Sequence, residues 1–418
     1  MSAAAVPADP VLSPIRRPEF RRLLAISITV ALGFGMVIPV LPLYARSFGV
    51  GLAAIGLVQF VFGLTRFSFG LVGGLVVDRF GERACTMAGL LIVSASSYAA
   101  GFSTNFPQLV LARGFGGAGS ALFISGLMNR ILRIIEPAAM GRATGAFRSS
   151  FLVGIGAGPA LGGIVADRFG LAAPLHFYAT GLLVATAIAW VVMKGQPALG
   201  EGPRRSPKEA FLAAKPLFRD KRYVIALLAT FVGWWTIAGP AQTIGPVFAS
   251  DRLGFSEQQI GFAVTMLAIG EVVILLVAGR AADRFGRRAV LVPSLAVAGI
   301  ATAVLGQIDS APWAYFPLMV AIGAGIAAGG AASGGLLADA IPRGGSGAAV
   351  GVNQMAGDLG YLIAPILIGT VAEQTSFGVA YVVGAVPAAA IFVIAMRLDG
   401  GVPRETDDAG ALPPAPDA

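Results

Sequence analysis

Apolar residues in this chain run in blocks far longer than a strand, with no regular polar face. Stretches free of Asp, Glu, Lys and Arg cover 23–45, 84–112, 169–193, 223–250, 289–308, 310–338 and 374–396. About 20 apolar residues in a helix cross the hydrocarbon core of a bilayer. Other blocks of similar length carry single charges, at Arg66, Arg113, Arg148, Glu271 and Asp358. Short polar turns divide the whole into twelve helices. They are predicted at roughly 21–44, 54–77, 84–102, 107–132, 142–166, 174–194, 221–248, 257–280, 288–308, 313–339, 347–372 and 379–397. The in–out alternation of a membrane barrel is missing. The first block is too long for a signal peptide and contains Pro39 and Pro42, so it is expected to remain as a span.

Composition sharpens this reading. Hydrophobic residues make up 56% of the 418 and charged residues 12%, about half the usual soluble share. The 57 glycines suit helices whose backbones pack closely in a membrane. One cysteine, Cys85, and one histidine, His176, exclude a disulfide framework and a His/Cys metal cluster. No metal and no cofactor are expected. The formal charge of +8 is a matter of topology and implies no nucleic acid. Of the 30 Lys and Arg residues, 24 fall on the side of the two termini, 3 on the other side and 3 inside spans. By the positive-inside rule both termini are cytoplasmic, in a multi-pass protein of the cell inner (plasma) membrane.

The expected organisation is a cytoplasmic tail (1–20), a six-helix half (21–194), a Pro-, Gly- and charge-rich cytoplasmic linker (195–220), a second six-helix half (221–398) and a cytoplasmic tail (399–418). A short amphipathic helix is predicted near 208–214. The halves repeat each other. "GGLVVDRFGER" at 73–83 returns as "AGRAADRFGRR" at 278–288, and Pro42 and Ile55-Gly56 return at Pro246 and Ile260-Gly261. Gly141, Gly145, Gly154, Pro159 and Gly163 return as Gly347, Gly351, Gly360, Pro365 and Gly369. A near-constant offset of 204–206 spans an even number of helices, so the halves are parallel repeats about an axis along the membrane normal.

Over residues 15–398 the chain resembles the major facilitator superfamily. Gly74, Asp78, Arg79, Gly81 and Arg83 match the family's loop signature between helices two and three, with Glu82 where a basic residue is usual. Gly279, Asp283, Arg284, Gly286, Arg287 and Arg288 complete a second copy. An Asp at a helix C-terminus faces the negative end of its own dipole and wants an outside partner. The resemblance supplies one for Asp78, the start of helix eleven in the other half, so the loops are expected to gate; their Arg residues also set topology. Helix five carries Gly145, Gly154, Gly158, Pro159, Gly162 and Gly163, a pattern similar to the drug–proton antiporter branch of that family. Gly154, Gly158 and Gly162 share one helix face, which allows close contact, and Pro159 favours a bend. "LVLARGFGGAGSA" at 109–121 resembles the fourth-helix pattern, with Gly116 in place of a Gln. The resemblance links Arg113 to proton coupling. The alternative is an Arg reaching back to the interface, since it lies only ~9 Å inside the helix.

Three further expectations concern the interior. Arg66 and Asp358 lie at matching depths, ~18 and ~16 Å from the same side, and are predicted to form an ion pair; the alternative is that each faces a hydrated cavity alone. Glu271 has no cation at its depth and is the leading proton carrier, with Asp358 and Arg113 as further coupling candidates; the alternative is a neutral, hydrogen-bonded Glu. Of Trp234 and Trp235, one at most faces the central cavity. The architecture implied is an all-α membrane protein of twelve transmembrane helices in two parallel six-helix repeats around a central cavity. The function implied is proton-coupled export of a small, largely apolar compound by alternating access, by a monomer in the lipid bilayer. A gradient-coupled carrier of an organic anion or metabolite is the second reading. A polytopic membrane enzyme would need a clustered catalytic set, and no catalytic residues are visible.

Overall fold

The computed structural model describes residues 17–136, 139–193, 215–341 and 347–398. Every regular element among them is helical, and twelve helices are long and apolar enough to cross a membrane. They are α1 (Pro18–Arg46), α2 (Leu52–Phe80), α3 (Glu82–Gly101), α4 (Phe106–Ile134), α5 (Met140–Phe169), α6 (Ala173–Val192), α7 (Lys221–Asp251), α8 (Glu257–Phe285), α9 (Arg287–Leu305), α10 (Pro312–Ala340), α11 (Gly347–Gln374) and α12 (Phe377–Ala395). The two tails and the amphipathic helix expected near 208–214 lie outside the described residues.

Two helices depart from regularity at prolines. α1 breaks after Val37, and a separate segment begins at Val40, because Pro39 brings no N–H to continue the ladder. α7 widens into a π-helical stretch over Ile237–Ile244, which contains Pro240. Neither break was apparent from hydropathy. Gly81 and Gly286 take positive φ, 84° and 91°, and each single glycine both ends one helix and starts the next. This is the tight turn expected of the loop motifs, and a side chain there would be strained.

The helices form two six-helix groups, α1–α6 and α7–α12, which meet along two seams. α2 packs against α11, and α5 packs against α8. Both seams are tight at the end away from the termini, the distal end, and open towards the terminal end. In α2, glycines seven residues apart report the gap. A Cβ on Gly56 would come within 2.3 Å of the Pro365 carbonyl oxygen, one on Gly63 would meet Leu362 at 3.5 Å, and one on Gly70 would meet nothing within 4 Å. In α5 the same probe meets Glu257 at 2.5 Å from Gly163, Ala268 at 3.3 Å from Gly156, and nothing from Gly145. Seven residues are ~10 Å of helix, so the halves splay over a few turns.

Polar contacts close the distal end. The Ala53 N–H donates to a Glu373 carboxylate oxygen at 2.8 Å across the first seam, and the Ala160 N–H donates to Thr265 Oγ1 at 3.0 Å across the second. Arg46 faces Asp251 at 3.5 Å, also between halves. Outside the spans, Asp309 sits 2.7 Å from Arg252 and pushes its guanidinium pKa up.

Candidate functional site

The helix-five glycines serve two partners. Gly154, Gly158 and Gly162 all face α1, where added Cβ atoms would strike Ala31, Leu32 and Met36 at 2.6, 2.5 and 2.1 Å. Gly163 faces α8 instead, and Gly261 returns the contact, since its Cβ would lie 2.4 Å from the Pro159 carbonyl oxygen. One motif thus binds α5 tightly to its own half and lines the seam with the other. Pro159 lies beside Ala160, whose N–H is the donor to Thr265 of α8.

The loop motifs lie at the terminal end. Gly74 and the Asp78 side chain lie outside the described set, and the expected partner of Asp78 with them. Arg79 stands over the Phe80 ring and Arg284 over Phe285, in both cases the next residue. Arg83 reaches the Trp190 carbonyl oxygen at 3.4 Å, and Arg288 that of Leu398 at 3.0 Å. Asp283 pairs with Arg287 one turn on, and Arg287 Nε also bonds Asp339 of α10 at 3.3 Å. Gly279 has open space where a Cβ would be.

The anomalous Glu82 has a clear partner set. Its carboxylate accepts from Arg130 at 2.8 Å and lies 3.3 Å from Arg133, while Arg130 also binds Glu19 of α1. Glu82 and Arg287 are equivalent positions in the repeat, and so are Arg133 and Asp339. Each half therefore ties its third helix to its fourth by an ion pair at the same place, with the signs exchanged. A basic residue at position 82 would face two arginines.

Between the halves, sequence-derived depth proves insufficient. Arg66 and Asp358 do not form the expected ion pair. The described hydrogen bond of Asp358 is from Gln354 at 3.4 Å, one turn away on its own helix, and Arg66 acts on it only electrostatically. The two residues sit where α2 and α11 have begun to diverge, so equal depth does not bring contact. Glu271, half-buried on α8, has no hydrogen-bond or ion-pair partner among the described residues. It lies beside α10, whose Gly323 packs against the backbone of Leu267 and Glu271. Trp234 is the more exposed tryptophan, at 40%, and meets Tyr361 of α11 edge-on at 6.0 Å. Trp235 is buried and donates to the Gly384 carbonyl oxygen at 3.0 Å, a packing role.

Arg113 does not reach back to an interface. It is 2% exposed, with its guanidinium over the Phe62 ring of α2 at 4.6 Å. Gly114 and Gly117 let α4 lie directly on α2, which brings the two side chains together. Its Nε and Nη1 have no acceptor among the described residues. A cation–π contact supplies about 2 kcal/mol when desolvated, against several kcal/mol to bury an ion. The surroundings are aromatic. Phe34 lies 6.2 Å from Phe62 and 6.4 Å from Tyr178, while the Tyr361 hydroxyl donates to Gln59 Oε1 at 3.0 Å across the first seam. Sequence reasoning missed Tyr178, Tyr361, Phe62 and Gln59. Gln59, an amide within an apolar span, was the one available signal.

The family model described as Major Facilitator Superfamily matches residues 23–256 and 237–417. Quinolone resistance protein NorA of Staphylococcus aureus is 25% identical over 240 residues, 56% of this chain and 60% of that protein. Multidrug resistance protein 2 of Bacillus subtilis is 26% identical over 262 residues, 62% of this chain and 65% of that one. The chain thus spans under two thirds of these relatives' length. Two solved structures share the fold. The nucleoside transporter NupG has a TM-score of 0.71 at 17% identity, covering 92% of this chain and 100% of NupG. A bacterial homologue of the human lysosomal transporter Spinster, inward-facing and occupied, has 0.72 at 17%, covering 92% and 95%.

Proposed function

Because the chain belongs to the Major Facilitator Superfamily, we propose that it is a secondary transporter exporting a small, largely apolar compound in exchange for protons. The observation that carries this reading is the asymmetry of the two seams, tight at the distal end and open at the terminal end. The 24-to-3 distribution of Lys and Arg makes the terminal end cytoplasmic, so this conformation faces the cytoplasm. Rocking about the glycine-lined seams would close the terminal end, using the loop motifs, and separate Glu373 from α2. The relatives named for drug and quinolone resistance support export.

Glu271 is the coupling carboxylate in this scheme. It stands beside a seam that would open and close, and no cation among the described residues pairs with it. An acid in that position can load a proton on one side and release it on the other. Asp358, bonded by Gln354 and under the field of Arg66, is the second candidate. Arg113 keeps its charge at any accessible pH and cannot itself carry the proton.

The experiment is transport into inside-out vesicles under an imposed pH gradient, with a quinolone and a nucleoside among the solutes. Glu271→Gln mimics the protonated acid. It should abolish gradient-driven accumulation and keep gradient-free exchange. Full gradient-driven transport in that variant would exclude Glu271. A second reading, a gradient-coupled carrier of an organic anion, is favoured by the unpaired Arg113.

A further inference from the structure

Arg113 is a buried cation that the described residues do not satisfy. Nε and Nη1 are both buried with no acceptor, and the described contact of the guanidinium is the face of Phe62. A lysine or histidine so placed could discard its proton; an arginine cannot. The interior carboxylates do not pair with it. Asp358 takes Gln354 and feels Arg66, and Glu271 stands on α8, beside the other seam. The phenols of Tyr178 and Tyr361 lie within electrostatic reach of it.

We infer that Arg113 anchors the anionic end of the substrate, a monocarboxylate with an aromatic or similarly compact apolar body. The guanidinium carbon stands over the Phe62 ring at 4.6 Å, and guanidinium N–H donors point in their own plane, where a carboxylate binds best. Phe34, Tyr178 and Tyr361 supply the apolar wall for the rest of the molecule. Tyr361 comes from the opposite half and reaches Gln59 across the first seam. A solute held at Arg113 therefore touches both halves, so its presence bears on their rocking. The inference rests on the reading of the chain as a carrier of small organic compounds and specifies the chemical class.

The test is ligand-dependent thermal unfolding of the purified full chain in detergent. Binding is read with no pH gradient, so a failure of proton coupling would leave the outcome unaffected. Benzoate and 1-naphthoate are compared with benzamide and with chloride at equal ionic strength. The carboxylates should raise the unfolding midpoint, and the other two should not. Arg113→Gln should lose the shift. Arg113→Lys should need at least ~10-fold more benzoate for half the effect, since an ammonium lacks the planar fork. Arg113→Gln without ligand should unfold no earlier than wild type, because an unpaired buried charge has been removed. The inference is overturned if neither carboxylate shifts the midpoint, if benzamide or chloride matches them, or if Arg113→Gln keeps the shift. A ligand-free midpoint in that variant well below wild type would also overturn it, because the guanidinium would then be satisfied structurally. Abolition of the benzoate shift by added phosphatidylglycerol would assign the site to a lipid headgroup and equally overturn it.

Discussion

Glu373 caps a helix in the opposite half, so its removal should unlock the distal end. α2 begins at Gly51, which provides no side-chain cap of its own. The Ala53 N–H donates instead to the Glu373 carboxylate at 2.8 Å, and a Cβ on Gly51 would collide with that carboxylate at 2.3 Å. A charge at a helix N-terminus contributes about 0.3–1 kcal/mol, and a hydrogen bond to a charged group about 1.5–3 kcal/mol. Glu373 is exposed, so screening brings the sum down to about 1 kcal/mol. This contact exists only when the distal end is closed, so Glu373→Ala should change the closed-to-open ratio by about 5-fold. An open population of ~10% would become ~35%. Glu373→Gln, which keeps an acceptor without charge, should move the ratio about half as far in energy. Spin labels at Thr104, between α3 and α4, and at Trp313, in the first turn of α10, would read the distance across the distal end by pulsed electron resonance. Cys85 is buried and is first replaced by Ala. An unchanged distance distribution in Glu373→Ala would refute the reasoning.

Three more outcomes follow from the contacts. Glu82→Gln should lower stability by about 2 kcal/mol, since it leaves a buried Arg130 with Glu19 alone. The exchange Glu82→Arg with Arg133→Glu should recover part of that loss, because the other half carries the same pair in that polarity; no recovery in a denaturation midpoint would sink the equivalence. Gly162→Val should lose about 1–3 kcal/mol or fail to accumulate, because its Cβ would stand 2.1 Å from the Met36 carbonyl oxygen, whereas Gly145→Ala, in open space, should keep wild-type stability and expression. Trp235→Phe should destabilise the fold by about 1 kcal/mol through loss of the bond to Gly384. Trp234→Phe should leave stability intact and remove the fluorescence quenching produced by a bound solute; quenching that survives in Trp234→Phe would place the solute elsewhere.

Much of the architecture was legible along the chain. Spans follow from run length, because a bilayer core demands ~20 apolar residues whatever surrounds them. Duplication follows from a near-constant offset. The shared face of Gly154, Gly158 and Gly162 follows from helical periodicity, and α1 packs on that face. The turns at Gly81 and Gly286 follow from glycine's freedom at positive φ. All of these are one-dimensional properties, readable from spacing. Where spacing ran out, tertiary structure decided. Depth put Arg66 level with Asp358, but rise per residue says nothing of lateral distance, which depends on how far the halves splay at that level. Glu82 read as a defect in a motif until α4 brought Arg130 and Arg133 to it. Glu373 and Ala53 are 320 residues apart and join only because one half closes on the other. Arg113 could as well have reached an interface. That it is buried and unpaired among aromatic rings is settled by which helices pack around α4, a fact about the neighbours and not about the residue.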